Sequence, residues 1–171
     1  MRGDEGKSMI SFRYDNILYG FDDYHHLMSI KNTSLRRRDI VIPKVFPNGQ
    51  RVDAIATQAQ FIGKFNRLHI DDAISCVWES AFECADVREV VWPKSCEVIP
   101  EKCFAWSKVR IVTNVNNVCK IERSAFLGAK HLLELDLSQN SICIFESDCF
   151  SKASVEAISL PYYCSLECAF G

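Results

Sequence analysis

Nine cysteines and four histidines are the residues of this 171-residue chain with most chemistry to offer. A nucleophilic thiol needs a base within hydrogen-bond reach to hold it as the thiolate. The candidate bases are His25, His26, His69 and His131, and nothing in their spacing pairs any of them with a cysteine. Cys164-x-x-x-Cys168 has a spacing that two zinc ligands can use, but a structural zinc takes four ligands and no second such pair exists. Asp71-Asp72 could form a carboxylate dyad, although two adjacent aspartates after an apolar run read more simply as solvated turn residues. Arg36-Arg37-Arg38 could contact phosphates or anionic lipid, yet it sits beside Asp39 without interleaved aromatics, the pattern of a wet surface rather than a nucleic-acid site. Arg2-Gly3-Asp4 matches an adhesion tripeptide too short to carry weight. The sequence holds no Gly-rich phosphate loop, no G-x-S-x-G and no H-E-x-x-H. It reads as a non-enzymatic chain with no cofactor and no metal.

Several of those cysteines have a place in a repeat. A small residue followed by Phe recurs at Ala81-Phe82, Cys103-Phe104, Ala125-Phe126, Cys149-Phe150 and Ala169-Phe170, with spacings of 22, 22, 24 and 20 residues and a looser copy at Gln60-Phe61. Five residues before the Phe stand Val77, Ile99, Ile121 and Phe145, and the last copy departs from the rule with Ser165. Eight residues before come Ile74, Cys96, Val118, Ile142 and Tyr162, a second, looser apolar column. Each copy then opens into a β-favouring run: Leu68-His69-Ile70, Val90-Val91-Trp92, Ile111-Val112, Leu135-Asp136-Leu137 and Ile158-Ser159-Leu160. One strand per unit of 20 to 24 residues is the mark of a solenoid, since a single coil cannot bury its apolar face and must stack on its neighbours. The Phe column would be its spine. The small slot before the Phe suits a tight corner, where Cys serves as a slightly larger Ala.

The frame apolar-x-x-apolar-x-x-x-Ala/Cys-Phe, followed by a strand ending in Trp92-Pro93 or Leu160-Pro161, resembles the BspA-like class of leucine-rich repeats. "SCEVIPEKCF" and "ISCVWESAF" are similar to its ordinary members, and residues 40 to 61, "IVIPKVFPNGQRVDAIATQAQF", to its entry repeat. The sequence departs from the family in having Pro100, Glu122 or Glu146 where Gly is frequent after the Ile. The resemblance implies a solenoid with a parallel β-sheet on its concave face and short turns or helices on the convex one. It also implies protein interaction, with surface or adhesion roles in microbes.

The expected organisation is an N-terminal tail and capping β-hairpin over residues 1 to 39, then a leucine-rich repeat solenoid over 40 to 171 with five to six repeats, the last incomplete. The hairpin would pair "MISFRY" with "HLMSIK" across "DNILYGFDDYH", rich in turn formers, and cover the first coil. A hydrophobic share of 48% and a charged share of 25% suit one ordinary core. No apolar run is long enough to span a bilayer, and "MRGDEGKSMISF" lacks an apolar signal core. That pattern points to the cytoplasm, while the family resemblance points to a cell surface. Residues 1 to 70 carry 11 Lys/Arg against 7 Asp/Glu, and residues 132 to 171 carry 1 against 6. In a solenoid, position along the chain is position along the axis, so head-to-tail self-association is favoured electrostatically, though weakly at physiological salt.

The cysteines are expected to be reduced and structural. Cys103 and Cys149 lie two coils apart, about 10 Å at the usual strand spacing and beyond disulfide reach; Cys119 and Cys143, each seven residues before its Phe, lie on adjacent coils and could meet. With no catalytic set, recognition falls to the outward residues of the strands. These are Arg67, His69 and Asp71, then Glu89 and Val91, Arg110 and Val112, Glu134 and Asp136, and Ala157 and Ser159. The mixed charge suits a protein partner, and no nucleic acid or membrane is implied. The expected function is a protein-interaction scaffold that binds on this face. The alternatives are an architectural segment of a longer solenoid and a cysteine-dependent redox or metal-binding protein.

Overall fold

The computed structural model describes residues 9–166 and 168–170, all of its regular structure β. Arg2-Gly3-Asp4 lies outside these residues. At the N-terminal end, β1 (Ile10–Tyr14), β2 (Ile17–Phe21) and β3 (His26–Asn32) form an antiparallel meander. It has three strands where two were expected, because Asp15-Asn16 makes the first turn in only two residues, with φ of 45° and 60°. Positive φ at both central positions is what a tight hairpin requires. The rest of "DNILYGFDDYH" is thereby free to run as β2, whose Ile17, Tyr19 and Phe21 are buried. Phe46 packs its ring 4.8 Å from Tyr19 and 5.0 Å from Phe12 and seals this end.

From β4 (Arg38–Ile42) onward the chain winds in coils. One strand of each coil joins a long parallel sheet: β4, β6 (Lys64–Ile70), β8 (Asp86–Val91), β10 (Ile111–Thr113), β12 (Leu132–Asp136) and β14 (Val155–Ser159). A second strand follows in each, shorter in every coil but the first. β5 (Ala54–Ile62) and β7 (Cys76–Val77) extend the N-terminal sheet through β3, and β9 (Val98–Ile99), β11 (Lys120–Ile121), β13 (Ile142–Phe145) and β15 (Tyr163–Ser165) form a separate parallel ladder. No helix occurs among the described residues; turns alone close the side away from the long sheet. The fold is a parallel β-solenoid.

The Phe column is the core. Phe82, Phe104, Phe126 and Phe150 are fully buried and stack with centroids 5.2–5.3 Å apart, one coil spacing. Phe61 adds itself below at 4.7 Å and Phe170 above at 5.5 Å. Burying each ring contributes about 1.5–3 kcal/mol before the aromatic contacts are counted. Around each Phe the backbone alternates its donors. Lys102, Phe104 and Trp106 N–H reach Arg123, Ala125 and Leu127 carbonyls of the next coil, while Cys103, Ala105 and Ser107 N–H close turns onto Pro100, Lys102 and Phe104. The small residue at 81, 103, 125, 149 and 169 is 0% exposed in every coil.

This corner needs left-handed backbone two residues before the Phe (Ser80, Lys102, Ser124, Asp148) and two after it (Cys84, Trp106, Gly128, Lys152), with φ of 53–66°. Only Gly128 is a glycine, and a Cβ there would overlap the Trp106 ring of the preceding coil. The apolar column eight residues before the Phe holds for Ile74, Cys96 and Val118 but not for Ile142 and Tyr162, which are exposed. Asn140 occupies the position instead, its N–H bonded to Leu137 as Val118 N–H is to Val115. Its side-chain amide donates to the Val115 and Val118 carbonyls. The two extra residues of this 24-residue unit therefore fall after Asn140 and lengthen β13.

Candidate functional site

The long sheet buries one face and turns the other outward, and its register assigns the outward side chains. Arg67, Glu89, Ile111, Glu134 and Ala157 form one row; His69, Val91, Thr113, Asp136 and Ser159 form the next. Between them, Leu68, Val90, Val112 and Leu135 point into the core. Val112, expected outward, is thus a core residue at 2% exposure, and Arg110 is exposed but precedes β10 and stands outside both rows. The third coil presents Ile111 and Thr113 in their place. Counting forward from the Phe would have found them, since Ile111 follows Phe104 by seven residues as Glu89 follows Phe82. Val91 lies in its row but is buried by its neighbours.

Arg67 and Glu89 form an ion pair at 3.1 Å across adjacent strands. Glu134, Asp136, His69 and Ser159 are exposed. Asp136 accepts a hydrogen bond from Ser138 N–H at 2.9 Å, and its bonding to Ser138 holds its carboxyl below the usual aspartate range. Asp71 is half-buried and caps Ala73 N–H. The face offers fixed, mixed-sign charges on a rigid frame.

Many of the other chemically able residues are spent on structure. Asp72 accepts from Lys94 N–H and the Asn114 amide, so Asp71-Asp72 is a pair of turn residues and not a dyad. Arg37 pairs with Asp86 at 2.6 Å and donates to the Phe65 carbonyl, tying the polar joint to two coils, and Arg38 pairs with Asp15. His26 bonds Asp22, and His25 bonds Gln50. Glu122 and Glu146 accept from the backbone N–H of Glu101 and Arg123 on the preceding coil, with Lys120 between them. Burial pushes the thiols of Cys96 up to about 11 and of Cys143 and Cys149 up to about 12, and holds that of Cys103 well above its ordinary value. These thiols stay protonated at neutral pH, the wrong state for a nucleophile. Among the described residues no group of three or more His, Cys, Asp or Glu is placed to hold a metal, and no helix is long and apolar enough to cross a membrane.

A capped parallel β-solenoid of short tandem units, with an ordered polar sheet face, defines a repeat scaffold. The chain belongs to the BspA type leucine rich repeat family, whose pattern matches in six copies over residues 55–167. Solved structures agree on the fold. A leucine-rich repeat protein from Bacteroides ovatus is 18% identical with a TM-score of 0.62 over 88% of this chain and 41% of its own. A leucine rich cell surface protein from Faecalibacterium prausnitzii is 19% identical, with a TM-score of 0.60 over 90% of this chain and 39% of its own. The pneumococcal vaccine antigen PcpA is 13% identical, with a TM-score of 0.58 over 91% and 51%. The chain thus spans about half or less of the length of each. No curated protein matches it significantly.

Proposed function

We propose that this protein is a non-enzymatic interaction scaffold that binds a protein partner on the outward face of the long sheet. The supporting observation is the double row of side chains held in register on that face, with Arg67, Glu134, Asp136 and His69 open to solvent. A preordered sheet loses little conformational entropy on binding, which favours affinity from modest contacts. Two of the similar structures are a cell surface protein and a vaccine antigen, which supports a surface setting for the scaffold. The opposite charge of its two ends supports head-to-tail association of copies as a secondary mode.

The test is affinity capture with the intact protein and with Arg67→Glu combined with Glu134→Arg. Exchanging Arg67 and Glu89 would keep an ion pair at the same place, whereas Arg67 with Glu134 changes the charge at two separated points of the face. An exposed pair of this kind contributes under about 1 kcal/mol to stability, so the fold survives. The control is Lys102→Glu with Lys152→Glu, two exposed residues at the Phe corners. Loss of the partner only in the sheet variant supports the reading; loss only in the corner variant refutes it. A second reading, an architectural segment of a longer solenoid, is favoured by the apolar surface of the last two coils, where Ile142, Ile144, Tyr163 and Phe170 are each half or more exposed.

A further inference from the structure

Three thiols lie on one row of the short ladder. Cys143 on β13 is the register partner of Cys164 on β15. On its other side Cys143 faces Cys119, whose carbonyl accepts from Ile144 N–H at 2.9 Å. Residues matched across parallel strands stand about 4.8 Å apart, inside the Cα separation of about 4.4–6.8 Å that disulfides span. Cys143 and Cys164 also line one open, largely apolar groove of 360 Å³, with Tyr162 and Tyr163 beside them. Cys164 is exposed and Cys143, beside it in the ladder, is buried, both as free thiols.

We infer that Cys143 and Cys164 form a reversible disulfide that fastens the last coil to the one before it. Cys164, not Cys119, is the partner for a mechanical reason. In-register Cβ atoms must approach somewhat closer than the strand spacing to carry an S–S bond. Among the described residues β11 and β13 are each paired on both sides, whereas β15 is paired with β13 alone and can shift toward it without tearing a second ladder. The oxidant is a low-molecular-weight disulfide such as glutathione disulfide. The Cys164 thiolate attacks one of its sulfurs and displaces one glutathione thiolate. Cys143 then gives up its proton and attacks the Cys164 sulfur, forming the protein disulfide and displacing the second glutathione, so two protein thiols are oxidised and one disulfide is reduced to two thiols. The burial that keeps Cys143 protonated makes this second step the slow one and makes it faster as pH rises. The closed loop would contain all of β14 and hold the apolar terminal coil in place; reduction would release it. This device is independent of what the sheet face binds.

The experiment treats the intact protein with glutathione disulfide at about pH 9, where thiolate attack is rapid, and then blocks the remaining thiols. Cleavage after Glu134, Glu146, Glu156 and Glu167 isolates Cys143 in peptide 135–146 and Cys164 in peptide 157–167. The expected product is these two peptides joined, and separated again by dithiothreitol. Tryptic cutting after Lys152, exposed inside the loop, should slow at least about tenfold on oxidation, as loop closure suppresses local opening. Cys164→Ser should abolish both effects, and Cys119→Ser neither. A stable glutathione adduct on Cys164 with Cys143 still free, a Cys119–Cys143 linkage, or no linkage at all would each overturn the inference.

Discussion

Removing one ring from the middle of the Phe column tests the fold at its centre. Phe104 is fully buried between Phe82 at 5.3 Å and Phe126 at 5.2 Å, with Trp92 at 5.9 Å. Phe104→Ala deletes the ring from a site that cannot collapse, because backbone hydrogen bonds between coils hold the corners at fixed spacing. The usual cost of such a deletion is about 3–5 kcal/mol, and two stacked partners place it at the upper end. Phe170 has one stacked neighbour, Phe150 at 5.5 Å, and is half exposed, so Phe170→Ala should cost about 1 kcal/mol. Equilibrium urea unfolding followed by circular dichroism gives both values, with Phe104→Leu as the milder variant should the alanine fail to fold. A Phe104→Ala cost below about 1 kcal/mol, or one equal to that of Phe170→Ala, would refute the buried spine.

Cys103→Ala and Cys149→Ala should each cost about 1 kcal/mol or less, because Ala81, Ala125 and Ala169 fill the same buried slot; a loss of about 3 kcal/mol in thermal or urea unfolding would mean the slot is not equivalent between coils. Gly128→Ala meets both a φ of 66° and the Trp106 ring, so it should cost about 2 kcal/mol or more, and a Trp106→Ala partner should recover part of that in a double-mutant cycle. The buried thiols set an alkaline limit. Their folded pKa values, about 11 for Cys96 and about 12 for Cys143 and Cys149, lie above the unfolded value of about 8.5. The stability they contribute is complete below that value and is lost as pH rises toward the folded ones. The urea midpoint should fall from about pH 8 to about pH 10, and Cys103→Ala with Cys149→Ala should flatten the slope.

The period, the Phe spine and the small corner slot were legible because they depend on composition at fixed spacing, and a residue type that recurs every 22 positions must stand in equivalent surroundings. The fate of Asp71, Asp72 and the arginine run was legible in kind: they are turn and surface residues, although their partners in other coils were not. The middle strand of the N-terminal meander was hidden because Asp15-Asn16 turns in two residues where a long turn-rich stretch suggested more.

On the short ladder, register escaped where a unit departed from 22 residues. Counting back from Phe150 puts Ile142 in the core, and counting back from Phe170 puts Tyr163 beside Cys143. In the structure Asn140 is the core residue and Cys164 the neighbour. A chain can absorb extra or missing residues on either side of a strand at nearly equal local cost, so spacing alone leaves the choice open. Contacts between coils make it: the Asn140 amide donates to the Val115 and Val118 carbonyls of the preceding coil, and β15 must match the hydrogen bonds that β13 already presents. The order of residues thus settled which coil each side chain belongs to, and stacking of the coils settled which neighbour it meets.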